Sequence, residues 1–275
     1  MKPRRFLLSL ALVLCAQMYA AGQAPAAEQA PDLDYQTAAV LYMQKAAEYR
    51  ALAYQAFNFA RLRLDEDLDK KNVKKLPKPQ RKMPRAIVVD IDETVLDNSP
   101  AQAQGIRTNT PYNSRDWYAW TNMRKAKAIP GAMEFLNYAV SKGVKVFYIS
   151  NRDDTNEKQA TIDNLKTLGF RDVSADNVLL RTAESSKDAR RAVVTAKHRI
   201  VMLVGDNLDD FSSAFERKSV ADRFAEVDKV KDEWGRRFIV IPNAMYGTWE
   251  NAIYEYERLT EAEKAAKRAA ALELP

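Results

Sequence analysis

Histidine and cysteine are almost absent from this chain of 275 residues, which contains only His198 and Cys15. A Ser-His-Asp hydrolase, a zinc enzyme with several imidazole ligands and an enzyme with a histidine nucleophile all need histidines that this chain lacks. A single cysteine forms no intramolecular disulfide, so the core alone must stabilise the fold. We interpret His198, which precedes an apolar run, as a partly exposed loop residue rather than a ligand.

A strong charge imbalance is also missing. The formal net charge is +6, and Lys2, Arg4 and Arg5 supply three of the positive charges at the extreme N-terminus. The basic cluster within "DEDLDKKNVKKLPKPQRKMP" has no interleaved aromatic residues, which favours a solvated loop over a patch that binds nucleic acid. We therefore predict no nucleic-acid partner. With 47% hydrophobic and 29% charged residues, the composition is that of a soluble globular protein.

The N-terminal apolar run, Phe6–Cys15, is too short to span a bilayer. A basic start precedes it and small residues follow it, which is typical of an export signal. We predict a signal peptide over residues 1–26, with cleavage after Ala21, Gly22 or Ala26. The alternative is a membrane-anchoring helix.

The stretch "LVLC" is similar to a lipoprotein cleavage box, but Leu14 occupies the position where a small residue is expected before the cysteine. We therefore favour a cleaved soluble form over a lipid-anchored form. Membrane attachment is expected only if Cys15 carries a lipid.

The remaining chain divides into three parts. Residues 32–82 are predicted to form a helical extension and connection, because Asp34–Leu64 has apolar residues near helical spacing. Residues 83–257 alternate short apolar runs with helical patterns. Residues 258–275 complete a charged, Ala-rich helix that we expect to begin at Thr248 and to be solvated.

Strands alternating with helices predict an α/β fold, in which a parallel sheet is covered on both faces. The predicted strands are "AIVVD", "KVFYIS", "NVLLR", "RIVMLVGD" and "RFIVIP", and the predicted helices are Gly131–Ser141, Thr155–Leu168 and Ser186–Lys197. The segment around 97–143 is too long for a tight crossover, so we predict that it forms a small helical cap.

Polar side chains follow the predicted strands at the edge where such sheets bind ligands. They are Asp90, Asp92, Ser150, Asn151, Arg152, Asp206, Asp209 and Asp210, and Lys187 opens the helix before the fourth strand. Several carboxylates at one point cannot all remain ionised without a cation, and oxygen ligands without histidine or thiol favour Mg²⁺. The sequence therefore predicts a magnesium site at this edge.

A carboxylate nucleophile acting on a phosphoryl group fits this set of residues. Asp90 can attack phosphorus, and Asp92 can protonate the leaving oxygen and then activate water. Lys187 and Ser150, with Asn151 as a further candidate, would bind the phosphate. Asp206 would complete the metal site.

The stretches "DIDET", "YISNR", Lys187 and "GDNLDDF" resemble, in order, the four motifs of the haloacid dehalogenase superfamily of phosphatases. Within it, "DIDETVLDNSP", "YISNRDD", "GDNLDDF" and "PNAMYGTWE" are similar to the bacterial class C acid phosphatases, which are lipoprotein 5′-nucleotidases of the outer membrane. The resemblance extends from about Asp34 to about Glu257. It implies a haloacid dehalogenase-like, Rossmann-like α/β domain.

The resemblance also implies residue roles. Asp90 would be the nucleophile and a metal ligand, and Asp92 would bind Mg²⁺ through its backbone carbonyl besides acting as the acid and base. Asp206 would be a further ligand. The residues themselves, rather than the resemblance, predict that Asp210 orients the metal site from outside the ligands. Aromatic positions that sandwich a nucleotide base correspond to Trp117 and Tyr246, with Trp120 and Trp249 as alternatives. Arg190 and Arg191 remain alternatives to Lys187.

These observations lead to one main hypothesis: an exported, Mg²⁺-dependent acid phosphatase or 5′-nucleotidase, periplasmic or associated with the outer membrane. Its partner would be a small phosphomonoester such as a nucleoside monophosphate. Two alternatives stay open: a phosphotransferase that uses the same first half-reaction, and a binding protein that has lost turnover. The sequence predicts no particular oligomeric state.

Overall fold

The structure is a computed structural model that describes residues 32–275. The predicted signal peptide and Cys15 lie outside the described residues. None of the helices within the described residues is long and apolar enough to cross a membrane.

The main elements alternate between helix and strand along most of the described chain. The helices are α1 (Thr37–Lys45), α2 (Ala47–Leu68), α3 (Lys70–Val73), α4 (Lys78–Lys82), α5 (Ser99–Thr108), α6 (Ser114–Asn122), α7 (Ala132–Ser141), α8 (Asp154–Leu168), α9 (Asp188–Thr195), α10 (Val220–Lys229), α11 (Thr248–Ile253) and α12 (Glu261–Ala270). The strands are β1 (Arg85–Val89), β2 (Leu96–Asp97), β3 (Lys127–Ala128), β4 (Lys145–Asp153), β5 (Val178–Arg181), β6 (Arg199–Gly205) and β7 (Phe238–Val240). Short 3-10 helices lie at Asp34–Gln36, Leu208–Asp210, Ser213–Phe215 and Lys231–Glu233.

Five parallel strands form the central sheet of the described region in the order β5-β4-β1-β6-β7. Each of these strands overlaps one of the predicted apolar runs. The predicted α/β fold with a parallel sheet is therefore confirmed. Strands β2 and β3 pair separately as a small antiparallel ribbon.

Strand β1 shows why the sheet needs helices on both faces. Its residues from Ala86 to Val89 are at most 4% exposed. Ile87 and Val89 pack in one core with residues of α1, α2, α7 and α8, whereas Ala86 and Val88 pack in a second core with residues of α9 and α10. Alternate side chains point to opposite faces of a strand, so a run that is apolar throughout is buried on both.

The segment Asp34–Leu64, predicted as helical, does not form one continuous helix. Helix α1 ends at Lys45 and α2 begins at Ala47, because Ala46 between them has an extended backbone (φ −76°, ψ 127°). Both helices bury apolar residues in the same core, Val40 and Met43 from α1 and Phe57 from α2. Tertiary packing therefore overrides a local preference for one helix.

The predicted helix from Thr248 to Leu274 is also interrupted. Glu255 and Tyr256 have positive φ angles of 55° and 60°, which separate α11 from α12. Thr260 then starts α12 with a capping box, in which its side chain accepts from the backbone N–H of Glu263. The tail therefore folds back as a separate short helix.

The segment predicted as a cap, 97–143, contains α5, α6, β3 and α7. Helix α7 packs on the sheet against α2 and β4. Only α5 and α6 of this segment act as a cap, because they lie beside a cavity at the carboxyl ends of the parallel strands.

Candidate active site

A cavity of about 470 Å³ opens at the carboxyl ends of the parallel strands. Every residue that the sequence predicted for catalysis or binding lines it: Asp90, Asp92, Trp117, Ser150, Asn151, Lys187, Asp206, Asp210 and Tyr246. These residues come from separate segments that only the sheet topology brings together. The residues predicted to meet at the carboxyl edge of the sheet thus line one pocket.

Strand β1 delivers Asp90 to the floor of this cavity. The Asp90 backbone N–H still donates to Val204 of β6 at 2.9 Å, so the ladder holds the residue in place. Its side chain forms a buried salt bridge with Lys187, which also donates to Asp210 at 2.6 Å. Thr94 links the carboxylates of Asp90 and Asp206, donating to Asp206 Oδ1 at 3.1 Å.

Burial and neighbouring carboxylates raise the pKa of Asp90 and of Asp206. Burial raises the pKa of Asp90 to about 7, Lys187 opposes the rise, and the charges of Asp210 and Asp92 add to it. Burial, together with Asp210 and Asp90, raises the pKa of Asp206 well above its usual range. Burial alone would lower the pKa of Lys187, but Asp210 and Asp90 outweigh it and raise that pKa. The single ammonium thus leaves the carboxylates short of positive charge.

The donor set fits a hard divalent cation. Carboxylate oxygens of Asp90, Asp206 and Asp210 lie within 4.8 Å of one another. All are oxygen ligands, and the only histidine, His198, packs against Phe147 at the start of β6 instead. The sequence predicted that Asp210 orients the metal ligands without binding the metal, whereas its carboxylate lies in the same group as those of Asp90 and Asp206. The Asp92 side chain does not belong to the group.

Asp92 is held by a different set of partners. Arg152, whose side chain is 1% exposed, donates to Asp92 Oδ1 from Nη2 at 2.7 Å and from Nε at 2.9 Å. Ser150 Oγ donates to Asp92 Oδ2 at 3.1 Å, and Asn98 Nδ2 donates to Oδ1 at 2.8 Å. The two aspartates of "DID" therefore face different partners, Asp90 the lysine and Asp92 the arginine.

Among the cations of "SSKDARR", only Lys187 contacts Asp90 directly. Arg190 donates to the Ser150 carbonyl at 2.6 Å and to the Asn151 side chain at 2.7 Å, so it organises the loop after β4. Arg191 donates to the backbone carbonyl of Asp210 at 2.7 Å. Asn151 is exposed at the rim of the cavity.

Aromatic side chains form another wall. Trp117 on α6 packs against Tyr112 with ring centroids 6.1 Å apart. Tyr246 donates its hydroxyl to the buried carboxylate of Glu93, which fixes the tyrosine ring. The alternatives lie elsewhere: Trp120 donates to Asn98 at 2.9 Å and does not line the cavity, and Trp249 is 42% exposed outside it.

Several residues of the site had no predicted role. Arg152 was placed at the edge of the sheet and Asn98 lay within a quoted motif, but nothing in their spacing showed that they are buried against Asp92. Both ends of the described chain also contribute to the cavity, through Tyr35 and Lys264. The charged, Ala-rich composition of the C-terminal segment predicted a helix, but only the fold places α12 at the cavity.

Comparisons with known proteins agree with this geometry. A family model described as the HAD superfamily, subfamily IIIB (acid phosphatase) matches residues 9–249. Two solved structures of the class C acid phosphatase from Bacillus anthracis, one with tungstate bound, are each 42% identical with a TM-score of 0.81. Each comparison covers 88% of this chain and 98% of the other.

A curated relative is more distant. The stem 31 kDa glycoprotein of Glycine max is 28% identical over 129 residues, which is 45% of this chain and 50% of the soybean protein. The match thus spans about half the length of that relative. The family model covers most of the chain and confirms the resemblance read from the motifs. The chain belongs to subfamily IIIB of the HAD superfamily, the acid phosphatases, and is by family a phosphomonoester hydrolase.

Proposed function

We propose that the chain is an Mg²⁺-dependent phosphatase that hydrolyses nucleoside monophosphates through an aspartyl-phosphate on Asp90. The observation that carries the proposal is the buried cluster of Asp90, Lys187, Asp206 and Asp210 at the floor of a cavity with aromatic walls. This cluster combines a nucleophile with the charges that an incoming phosphate dianion requires.

Asp90, Asp206 and Asp210 would hold the cation, and Asp92 would add its backbone carbonyl. When bound, the cation supplies positive charge that keeps the carboxylates ionised and offsets that of the substrate. Because all of these ligands are oxygen atoms, the site favours Mg²⁺ over zinc.

In the first half-reaction, an Asp90 carboxylate oxygen attacks phosphorus. The bond between phosphorus and the ester oxygen breaks, and Asp92 gives its proton to that oxygen. Lys187 and the Ser150 hydroxyl stabilise the charge on the transferring oxygens. In the second half-reaction, Asp92 takes a proton from water, and the hydroxide attacks phosphorus and releases Asp90 as a carboxylate.

The residues that line the cavity support the proposed substrate class. Tungstate, which one Bacillus anthracis structure contains, is a tetrahedral oxyanion like phosphate. Trp117 and Tyr246 offer aromatic faces on which a nucleobase can stack, and stacking tolerates any base. Broad use of nucleoside monophosphates would follow.

The location remains part of this proposal. The sequence pattern of residues 1–26 supports export to the periplasm, and Cys15 is the only cysteine to which a lipid could be attached. Detergent partitioning of the native protein measures this directly. Partitioning that is lost in Cys15→Ser would contradict the soluble form that Leu14 favours.

Phosphate release from purified protein tests the proposed activity. We expect hydrolysis of several nucleoside monophosphates that depends on added Mg²⁺ and falls by about 10³-fold or more in Asp90→Asn. Equal rates in the wild type and Asp90→Asn would rule out the aspartyl-phosphate. Adding an acceptor alcohol separates hydrolysis from transfer, because a phosphotransferase would form a new ester at the expense of free phosphate.

A further inference from the structure

Asn98, the residue before α5, is fully buried, and both the nitrogen and the oxygen of its side-chain amide form hydrogen bonds. Its Nδ2 donates to Asp92 Oδ1 at 2.8 Å and to Glu93 Oε2 at 3.3 Å. Its Oδ1 accepts from Trp120 Nε1 at 2.9 Å and from Arg152 Nη2 at 3.3 Å. The carboxylates only accept while the indole and guanidinium only donate, so these partners fix which end of the amide faces each of them.

We propose that Asn98 is a positioning residue that orients Asp92 for proton transfer to the leaving oxygen. The proposal rests on the proposed function, in which Asp92 is the acid and base. Asn98 acts through Asp92 and has no chemical role of its own.

The contacts of Asp92 show what Asn98 adds to Arg152. Arg152 makes its two shorter contacts with Oδ1, from Nη2 at 2.7 Å and from Nε at 2.9 Å, and a longer one from Nε to Oδ2 at 3.2 Å. The guanidinium therefore already favours one orientation of the carboxylate. Asn98 also donates to Oδ1 and not to Oδ2, and this bond from a fixed amide reinforces the same orientation. Oδ2 is then left with Ser150 and the longer Arg152 contact, as the oxygen available to the substrate.

The same amide links Asp92 to the aromatic wall. Trp120 lies one helical turn after Trp117 on α6, and its indole N–H is the donor to Asn98. Helix α6 belongs to the segment between β2 and β3, so this bond joins that segment to the residue that holds Asp92. The position of the wall that meets the substrate is therefore tied to the position of the proton donor.

Leaving-group dependence distinguishes positioning from a general structural role. A nitrophenolate departs without a proton, whereas the alkoxide of a nucleoside monophosphate or of glycerol 2-phosphate needs one. The ratio kcat/KM reports the steps up to formation of the aspartyl-phosphate, before water enters. A residue that positions the acid should therefore affect kcat/KM for alkyl phosphates far more than for 4-nitrophenyl phosphate.

The experiment compares wild type, Asn98→Ala, Asn98→Asp and Asp92→Asn on 4-nitrophenyl phosphate and glycerol 2-phosphate at saturating Mg²⁺. We expect Asn98→Ala to lose about 10²-fold in kcat/KM on glycerol 2-phosphate and less than about tenfold on the aryl ester. Asn98→Asp keeps the shape and the acceptor, but it loses both donors and adds a negative charge beside Asp92 and Glu93, so its selective loss should be at least as large. Equal losses on both esters in these variants would overturn the proposal.

Asn177 offers a matched control for a buried asparagine. It is fully buried and donates to the Val146 carbonyl at 2.7 Å at the opposite end of the sheet. Asn177→Ala should lower the thermal stability without changing the ratio of the two kcat/KM values. If Asn98→Ala does not fold, Trp120→Phe, which removes only the indole donor, should show a smaller loss of the same selectivity.

The reference variant Asp92→Asn separates the two levels of the argument. A selective loss in Asp92→Asn with a uniform loss in both Asn98 variants would overturn the positioning role alone. A uniform loss in Asp92→Asn would instead overturn the acid role of Asp92 in the proposed function.

Discussion

Gly205, at the end of β6, lies against the acidic cluster. A Cβ at this position would lie 2.5 Å from the Asp210 Cβ and 2.8 Å from its Cγ, which is too close for both to fit. The carboxylate also accepts from the Asn207 backbone N–H at 3.0 Å, so it has little freedom to withdraw. A glycine is therefore required here for space.

We predict that Gly205→Ala displaces Asp210 and impairs the proposed cation site. Measured as phosphate release against Mg²⁺ concentration, the variant should need more Mg²⁺ and lose about 10²-fold in kcat/KM. Gly143→Ala is the control, because Gly143 has a φ of 74° with open space around its Cβ position. Alanine at a positive φ should cost about 1–2 kcal/mol of stability, and the Mg²⁺ dependence should stay unchanged.

Trp117 permits a second test at this scale. If its ring stacks on the base, Trp117→Ala should raise KM about tenfold for nucleoside monophosphates. The KM for a small phosphomonoester such as glycerol 2-phosphate should change much less, because that substrate offers no ring to stack. An equal rise for both would mean that Trp117 only packs against Tyr112.

The site could be predicted from sequence where chemistry and strand position coincide. Asp90 and Asp206 each follow an apolar strand, so the topology of a parallel sheet sufficed to bring them together. The roles of Asn98 and Arg152 could not be predicted, because an asparagine before a helix and an arginine at the end of a strand usually lie on the surface. Only the burial of both against Asp92 shows what they do.

At the scale of elements, Asp67 joins three of them. This residue of α2 accepts from Arg85 of β1 at 2.6 Å and from Arg199 of β6 at 2.7 Å. Burial alone would raise the pKa of Asp67, but the hydrogen bonds and charges of Arg199 and Arg85 outweigh it and lower that pKa. The ion pairs therefore fasten the helical extension to the start of the sheet.

The sign of the pH dependence follows from the lowered pKa. Asp67 stabilises the fold above its unfolded pKa of about 3.9, and this contribution is lost as pH falls through the lower folded value. We predict that Asp67→Asn lowers the free energy of unfolding by about 2 kcal/mol at pH 7, and that the difference from wild type shrinks toward pH 3. Urea denaturation at the two pH values measures it.

Asp163 provides the comparison for an exposed pair. It contacts Arg124 at 3.0 Å with both side chains more than a third exposed. Asp163→Asn should cost less than about 0.5 kcal/mol at either pH. A difference for Asp67→Asn that is the same at pH 7 and pH 3 would contradict the role given to its ionised form.

Elements were easier to predict than their ends. The parallel strands carry apolar runs whose burial on both faces leaves little ambiguity. The break at Ala46 has no glycine or proline to announce it, and the turn at Glu255 and Tyr256 uses residues that rarely adopt a positive φ. Both breaks arise from packing with distant residues, which local sequence does not contain.

At the scale of the whole molecule, both ends of the described chain meet beside the cavity. The hydroxyl of Tyr35 donates to Glu250 at 2.9 Å, and Tyr254 donates to the same oxygen at 2.7 Å. From α12, Arg268 lies 3.7 Å above the Tyr35 ring and donates to Tyr254 at 2.6 Å. The tail predicted as a solvated helix is thus attached to the N-terminal turn and completes the pocket.

We predict that Arg268→Ala loosens α12 and widens the cavity. Discrimination between a small and a bulky phosphomonoester, measured as the ratio of their kcat/KM values, should fall. Lys267→Ala is the matched control on the same helix, because Lys267 pairs with Glu255 and Glu257 away from Tyr35. Equal ratios in wild type and Arg268→Ala would show that the helix does not limit the substrate.

The central claim is that Asp90 becomes phosphorylated during turnover. Acid-quenched reaction mixtures with a nucleoside monophosphate and Mg²⁺ can be digested and analysed by mass spectrometry. The account predicts one added phosphoryl group on the peptide that contains Asp90, and none in Asp90→Asn. A phosphoryl group on any other residue, or substrate turnover by Asp90→Asn at the wild-type rate, would contradict it.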